Sequence, residues 1–132
     1  ACFQQGFGKL GLVPDVGSTW LLPRRSGRAL ARELALLNEK LAAETAVDWG
    51  LINLVAEDGE LMPTALAWAG RLAAGPAAMA LTRKLFRESP GNSYEQQLAL
   101  ESRAQQQAGE TGDFREGLAA FHAKRPPSFT GK

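Results

Sequence analysis

The chain has 132 residues, of which 45% are hydrophobic and 22% charged, and this length and composition are typical of one soluble globular domain. Fifteen basic and fourteen acidic residues alternate in sign along the predicted helices, so neither nucleic acid nor a membrane surface is an expected partner. Cys2 is the only cysteine, which excludes an intrachain disulfide and a multi-cysteine metal site and fits a reducing compartment such as the cytoplasm.

The first predicted elements are the end of a strand and a turn-rich connection. Cys2 and Phe3 are apolar and two glutamines follow them, so the chain is expected to begin in the middle of an element. Three glycines and Pro14 then mark residues 4–14 as a loop. We expect the apolar side chains of this loop to face a pocket or a core.

One carboxylate, Asp15, stands inside the apolar segment LGLVPDVGSTWLLPRR of residues 10–25. Two interpretations of this residue remain open. Desolvation by the apolar neighbours would favour the uncharged carboxyl group and make it a usable acid or base near neutral pH. Alternatively, the Asp15 side chain only caps a short helix over residues 16–22 by accepting a backbone N–H.

Two further helices and a strand are predicted before residue 56. Pro23 should end the first helix, and Ser26 should cap a second, amphipathic one. Residues 45–49 predict a short helix that ends at Gly50 in a left-handed conformation. Residues 51–55, LINLV, are the best strand candidate in the chain. The apolar positions at helical spacing in the second helix are Leu30, Leu34 and Leu37.

The second half of the chain predicts four helices separated by proline and glycine. Asp58 should cap the first of them, over residues 60–74, which tolerates Pro63 only because it lies in the first turn. The next is expected at residues 77–88, with its arginine and lysine side chains exposed. The stripe that the first helix should bury consists of Leu61, Ala65, Trp68 and Leu72.

Capping signatures mark the starts of the last two helices. Asn92 with Glu95 and Ser93 with Gln96 form overlapping capping boxes for a helix that reaches about Ala108. The last helix should end at the pair of prolines at 126 and 127. Asp113 with Glu116 is the capping-type signature at its start, and Phe114, Leu118 and Phe121 should line one face.

These elements make a helical chain that holds only one complete strand and the end of another. Isolated strand segments cannot satisfy their backbone hydrogen bonds without a sheet to join. The sequence therefore predicts the C-terminal portion of a larger α/β protein whose sheet is built mainly upstream of Ala1.

Three segments resemble the crotonase superfamily of enoyl-CoA hydratases and isomerases. The loop of residues 10–25 is similar to the family pattern LGLxPxxGxTxxLPR, and AVDWGLINLV at residues 46–55 is similar to its second signature. The ending DFREGLAAFHAKR at residues 113–125 is similar to the family's D-x-x-E-G-x-x-A-F-x-x-K-R. Within the family, the segments KLGLVPD and GSTWLLPR and the last four residues are most similar to isomerases that convert ring-1,2-epoxyphenylacetyl-CoA to oxepin-CoA.

The resemblance implies an α/β crotonase fold of repeated ββα units, of which this chain is the mostly helical C-terminal portion. Residues 1–56 would be the end of the core with the acid/base loop, and residues 57–132 a helical oligomerisation region. Homotrimers, or hexamers formed as dimers of trimers, are the expected assemblies. The substrate would be a coenzyme A thioester, with no cofactor and no metal.

The resemblance also implies roles for five residues. Phe7 falls where the hydratases carry a catalytic Glu, whereas Asp15 falls where the ring-epoxide isomerases carry their catalytic carboxylate. Phe7 and Trp20 would wall an aromatic acyl pocket, although core packing is also open for both. Phe121 and Lys124 fall where the last helix touches the CoA of a neighbouring subunit, although a packed aromatic ring and a solvated lysine are also open for them.

The same resemblance leaves two alternative functions open. The protein could be another enoyl-CoA isomerase or a hydratase of the family with relocated acid/base groups. The isolated chain could instead be a non-catalytic trimerisation module, because the two backbone N–H groups that hold the thioester oxygen are expected upstream of Ala1.

Overall fold

The protein is described by a computed structural model that covers all 132 residues and divides into two units, Ala1–Glu60 and Leu61–Lys132. In the first unit, strand β1 (Cys2–Phe3) pairs antiparallel with strand β2 (Leu41–Ala42), with Phe3 opposite Leu41. β1 was predicted, whereas β2 was not. The first unit also holds a short 3₁₀-helix and three α-helices. Their bounds are Phe7–Leu10 for the 3₁₀-helix, Ser18–Ser26 for α1, Arg28–Leu37 for α2 and Ala43–Asp48 for α3.

The hydrophobic core of the first unit lies between α2, β2 and α3. Leu34, Leu41 and Ala46 are buried there, one from each element. Leu34 shares a face of α2 with Ala31, which is also buried, whereas Leu37 of the predicted leucine repeat is 60% exposed. Three half-buried side chains pack against the cluster, namely Trp49, Leu51 and Ile52.

Pro23 does not end the first helix, so this prediction was wrong. α1 continues through Pro23 to Ser26, at the cost of one backbone hydrogen bond. Within the same helix, Arg24 and Ser26 donate side-chain hydrogen bonds to the carbonyl oxygens of Trp20 and Leu22, at 2.9 and 3.1 Å. The break comes at Gly27, whose φ of 81° favours glycine, and Ser26 therefore does not cap α2.

Residues 51–55 do not form the predicted strand. The Leu51 N–H donates to the Ala46 carbonyl at 2.9 Å, and the Gly50 N–H donates to that of Val47 at 2.8 Å. These two bonds, with Gly50 at φ 70°, form the Schellman motif that ends α3. The left-handed Gly50 was predicted correctly. The segment after it packs Leu51 and Ile52 on the core but has no strand beside it.

The second unit contains four α-helices close to the predicted positions. Their bounds are Leu61–Ala73 for α4, Ala78–Glu88 for α5, Tyr94–Gly109 for α6 and Gly112–His122 for α7. The capping box of Ser93 with Gln96 is present at the start of α6, as predicted. The Asn92 side chain instead donates to the Gln97 side chain at 2.8 Å, so the overlapping box with Glu95 does not form.

Two other predictions for the second unit were wrong. α4 has no buried residue, and Leu61, Trp68 and Leu72 of the predicted buried stripe are exposed because nothing in the unit covers them. The last helix ends at His122, four residues before the prolines.

No helix of the protein is both long and apolar enough to cross a bilayer.

Candidate functional site

The loop before Asp15 is fastened to the end of α2 by Asn38, a buried residue with a left-handed φ of 56°. The Asn38 side-chain oxygen accepts the Gly8 N–H at 2.9 Å, and its backbone carbonyl accepts the Gln4 side-chain amide at 2.7 Å. A Cβ at residue 8 would collide with the Asn38 amide, so glycine is required there. Asn38 thereby fixes the path of the loop that contains Phe7, which is half-buried.

Asp15 lies in an exposed turn directly before α1. Its backbone carbonyl accepts two hydrogen bonds from Ser18, from the N–H at 2.9 Å and from the hydroxyl at 2.7 Å. Its carboxylate caps nothing, since the N-cap is Gly17 and no side-chain bond is made there. The cap interpretation was therefore wrong, and the expected desolvation of Asp15 is not seen in this chain. The turn holds the Asp15 backbone and leaves the carboxylate free.

The residue after Asp15 is in a strained conformation. Val16 has a φ of 51° and is followed by Gly17 at 75°, so two successive residues are left-handed. Glycine adopts this region freely, whereas for a β-branched side chain it is a true outlier. Strain of this kind costs about 1–3 kcal/mol and concentrates at functional sites.

Trp20 is half exposed, at 47%, and one face of its indole ring is covered. The Arg24 guanidinium lies 3.8 Å from the ring centroid and donates to the Trp20 carbonyl at 2.9 Å. This cation–π contact orients the ring, and the residue stays half exposed. Core packing, the alternative for Trp20, is not observed in this chain.

A groove of about 890 Å³ lies between α1 and α2. Its wall is mainly apolar, with Pro14, Leu22 and Leu36 among the lining residues, and three arginines stand at its margin. Phe7, Asp15 and Trp20 do not line it, and no hydrogen bond joins these three side chains. The arginines are Arg24, Arg28 and Arg32.

Phe121 and Lys124 lie at the end of α7 in the second unit. The Phe121 side chain is 78% exposed and lines an open groove of about 420 Å³ together with Phe114, Leu118 and Phe129. Lys124 has a left-handed φ of 52° and stands at the position after a helix where glycine is usual. Its N–H donates to the Phe121 carbonyl at 3.2 Å, and the next N–H donates to that of Ala120 at 3.0 Å, which completes a Schellman motif.

Asp113 is the buried carboxylate of the second unit, with only 3% of its surface exposed. Thr111, and not Asp113, caps α7 by accepting the Phe114 N–H at 3.1 Å, which corrects the predicted capping signature. The Asp113 oxygens accept three backbone N–H groups from distant residues: Thr130 at 2.7 Å, Ala77 at 2.8 Å and Gly131 at 3.0 Å. These donors, that of Thr130 above all, hold the pKa of Asp113 below its ordinary value of 3.8 although burial opposes the shift.

Glu116 binds the segment that follows α7. The two terminal nitrogens of the Arg125 guanidinium, Nη1 and Nη2, donate to its two oxygens at 2.6 and 2.8 Å, and the Ser128 N–H donates at 2.8 Å. This bidentate pair and the Ser128 bond lower the pKa of Glu116 to about 2. Glu116 with Arg125 is the one ion pair of the chain.

Sequence reasoning missed the roles of Asn38 and Arg125, and it assigned the wrong role to Asp113. Asp113 had been noted only as a cap, because its three partners lie 17 to 36 residues away in sequence. Asn38 directly follows α2, where asparagine is the usual alternative to glycine, whereas a lysine at position 124 gives no such sequence signal. Pro14 and Gly17 gave the one available sequence signal for the turn at Asp15.

Comparison with known proteins identifies the family. The model of the enoyl-CoA hydratase/isomerase family matches residues 1–132. The chain is 47% identical over 133 aligned residues to the 1,2-epoxyphenylacetyl-CoA isomerase of Escherichia coli, covering all of this chain and 51% of that protein. It is also 47% identical to a probable enoyl-CoA hydratase of Rhodobacter capsulatus, again covering all of this chain and 52% of that protein.

Solved structures agree with these relatives. A crystal structure of a putative enoyl-CoA hydratase/isomerase from Mycobacterium abscessus superimposes with a TM-score of 0.93 at 35% identity, over all of this chain and 51% of that one. The predicted fold, the mostly helical C-terminal portion of a crotonase fold, is confirmed. The chain spans about half the length of the curated relatives that it matches. The chain belongs to the enoyl-CoA hydratase/isomerase family.

Proposed function

We propose that the full-length natural protein isomerises ring-1,2-epoxyphenylacetyl-CoA to oxepin-CoA, with Asp15 as its acid/base group. The observation that carries this proposal is that the same chain has a carboxylate at Asp15 and a phenyl ring at Phe7. Asp15 offers a carboxylate at the position that resembles the catalytic one of ring-epoxide isomerases, and Phe7 puts an inert ring where the hydratases carry Glu. The name of the E. coli relative supports the same substrate.

Asp15 suits proton transfer because of how its turn is built. Two hydrogen bonds from Ser18 hold its backbone, while the carboxylate forms no bond of its own. A positioned carboxylate that moves a proton contributes roughly 10²- to 10⁴-fold to a rate. Substrate and product are isomers, so no atom is gained or lost overall: the bond between the two epoxide carbons breaks as the ring expands, and a proton taken from one carbon is returned at another. As in the family that the chain resembles, two backbone N–H groups would stabilise charge on the thioester oxygen.

The acyl group and the CoA would meet different parts of the protein. Trp20 stays half exposed beside Arg24, and together with Phe7 it would wall an aromatic acyl pocket. Phe121 and Lys124 would contact the CoA of a neighbouring subunit in a homotrimer or a hexamer. The exposed apolar side chains of α4 favour such an assembly, because large exposed apolar faces mark interaction sites. The 132-residue chain alone is expected to have little activity.

A second candidate is hydration, or another isomerisation, of a linear enoyl-CoA. Its support is the R. capsulatus relative, which is equally identical and is named a probable enoyl-CoA hydratase. Phe7 argues against hydration by the usual pair of glutamates, since a phenyl ring can neither take nor give a proton.

Turnover by the full-length natural protein distinguishes the two candidates. Purified protein is given the ring-epoxide thioester and, separately, linear 2-enoyl and 3-enoyl thioesters at equal concentration. We expect kcat/KM for the ring epoxide to exceed that for the linear substrates by about 100-fold or more, since the pocket would be shaped for a ring. Faster turnover of a linear thioester would favour the second candidate and contradict the first.

A further inference from the structure

We propose that Asp113, Glu116 and Arg125 form a latch that holds residues 125–132 against α7 and thereby positions Lys124 for the phosphate groups of a CoA thioester. This inference rests on the proposed contact of Lys124 with CoA. Its new content is a role for three residues that would not themselves touch the substrate.

The C-terminal segment is tied down at both ends by side chains of α7. At the near end, Glu116 holds the Arg125 guanidinium and the Ser128 N–H. At the far end, Asp113 accepts the N–H groups of Thr130 and Gly131, and its own N–H donates to the Lys132 carbonyl at 2.9 Å. Charge-assisted bonds of this kind are shorter and stronger than those between neutral groups. The segment is therefore fixed although most of its side chains are exposed.

Lys124 lies between the end of α7 and the first anchored residue of the segment, Arg125. Its left-handed φ of 52° is unfavourable for a lysine, and glycine would adopt it without strain. Anchoring Arg125 to Glu116 holds the chain in this conformation, because the Arg125 N–H also completes the Schellman motif with Ala120. Strain of this kind persists only where the surrounding structure fixes it, and here the anchored Arg125 supplies that constraint.

The Lys124 ammonium group is available to a ligand. The lysine is exposed and forms no ion pair, since the one ion pair of the chain joins Arg125 to Glu116. Arg125 is the residue next to it, yet its guanidinium is occupied by Glu116 and by the Pro126 carbonyl at 3.1 Å. Arg125 therefore stabilises the fold, whereas the adjacent Lys124 is free to bind an anionic ligand.

The test measures binding of phenylacetyl-CoA, which has no epoxide to open, to the full-length natural protein by calorimetry. Lys124→Ala and Arg125→Ala should each raise its Kd by roughly 5- to 20-fold, and the double variant should be no weaker than Lys124→Ala alone, because Arg125 acts through Lys124. Arg125→Lys, which keeps the charge but loses the bidentate geometry, should fall between Arg125→Ala and wild type. Arg83→Ala, at an exposed position of α5, is the matched control and should bind normally.

Two further measurements distinguish a role of Arg125 in positioning Lys124 from an effect on the stability of the protein alone. Lys124→Gly should melt at a higher temperature than wild type and still bind the thioester more weakly, because it relieves strain and removes the ammonium group. With the epoxide substrate, Arg125→Ala should raise KM and keep kcat within about twofold.

The outcomes distinguish failure of the latch from failure of the proposed contact. Normal binding by Arg125→Ala with weakened binding by Lys124→Ala would overturn the latch and leave the Lys124 contact standing. Losses that multiply in the double variant would also overturn it, since Arg125 would then act independently. Normal binding by Lys124→Ala would remove the contact and with it the latch, while turnover by Asp15 would be untouched.

Discussion

The two aspartates Asp15 and Asp113 show how the same side chain is used in opposite ways in the two units. Asp113 is buried, and three backbone N–H groups from remote segments satisfy its oxygens. Asp15 is exposed, and only its backbone is held. A carboxylate whose bonding capacity is filled by fixed donors can organise a fold but cannot easily exchange a proton. The free carboxylate on a fixed turn is the one that is available for chemistry.

The largest structural effect should come from Asp113→Asn. The amide keeps one acceptor oxygen but turns an NH₂ group toward backbone N–H donors, so at least one of these donors loses its partner on the buried Asp113 side chain. We expect the melting temperature of the full-length natural protein to fall by at least about 5 °C. Differential scanning calorimetry measures it, with the exposed Asp48→Asn as a control that should melt like wild type. A normal melting temperature for Asp113→Asn would show that the cluster is not structural.

A smaller effect of opposite sign is expected at Val16. Val16→Gly removes the strain of a β-branched residue at a φ of 51° and should raise the free energy of unfolding by up to about 1 kcal/mol. Val13→Gly is the matched control in the same loop: its valine is also exposed but has no left-handed φ, so glycine should destabilise there. Chemical denaturation of both variants measures the difference. Destabilisation by both changes to the same extent would mean that Val16 is not strained.

The smallest effect is the pH dependence that Glu116 contributes. Its pKa falls from an ordinary value of 4.5 to about 2 in the folded protein, so the stability that it adds is complete above about pH 4.5. That stability is lost as the pH falls toward 2, where the folded carboxylate also takes up a proton. Wild type should therefore melt a few degrees above Glu116→Gln at pH 7, and the two should converge near pH 2. A gap between the melting curves that does not change with pH would contradict the ion pair with Arg125.

Local features of this fold were predictable from sequence, and features that depend on distant residues were not. The capping box at Ser93 and the left-handed Gly50 involve residues within a few positions of each other, so their patterns are sufficient. The strand expected at residues 51–55 needed a neighbouring strand, and the strand that does form, Leu41–Ala42, is too short to have a pattern. The predicted buried stripe of α4 failed for the same kind of reason, because burial requires a covering surface.

The candidate site was predictable only in part for related reasons. Sequence reasoning selected Asp15 from its apolar surroundings and from family resemblance, but it predicted a desolvated or capping carboxylate. The left-handed pair Val16 and Gly17 instead turns the chain so that Gly17 becomes the N-cap. The roles of Asp113 and Arg125 depend on a C-terminal segment that folds back on α7, and no short pattern encodes that return.

The most direct measurement is kcat for Asp15→Asn in the full-length natural protein, with Kd for phenylacetyl-CoA and the melting temperature measured alongside. The carboxylate forms no hydrogen bond in the structure, so we expect an unchanged melting temperature and a nearly unchanged Kd. We expect kcat for the ring-epoxide thioester to fall by roughly 10²- to 10⁴-fold, because asparagine cannot exchange the proton. Asp48→Asn should retain wild-type kcat. A folded Asp15→Asn variant that turns over within a few-fold of wild type would contradict the assignment of Asp15 as the acid/base group.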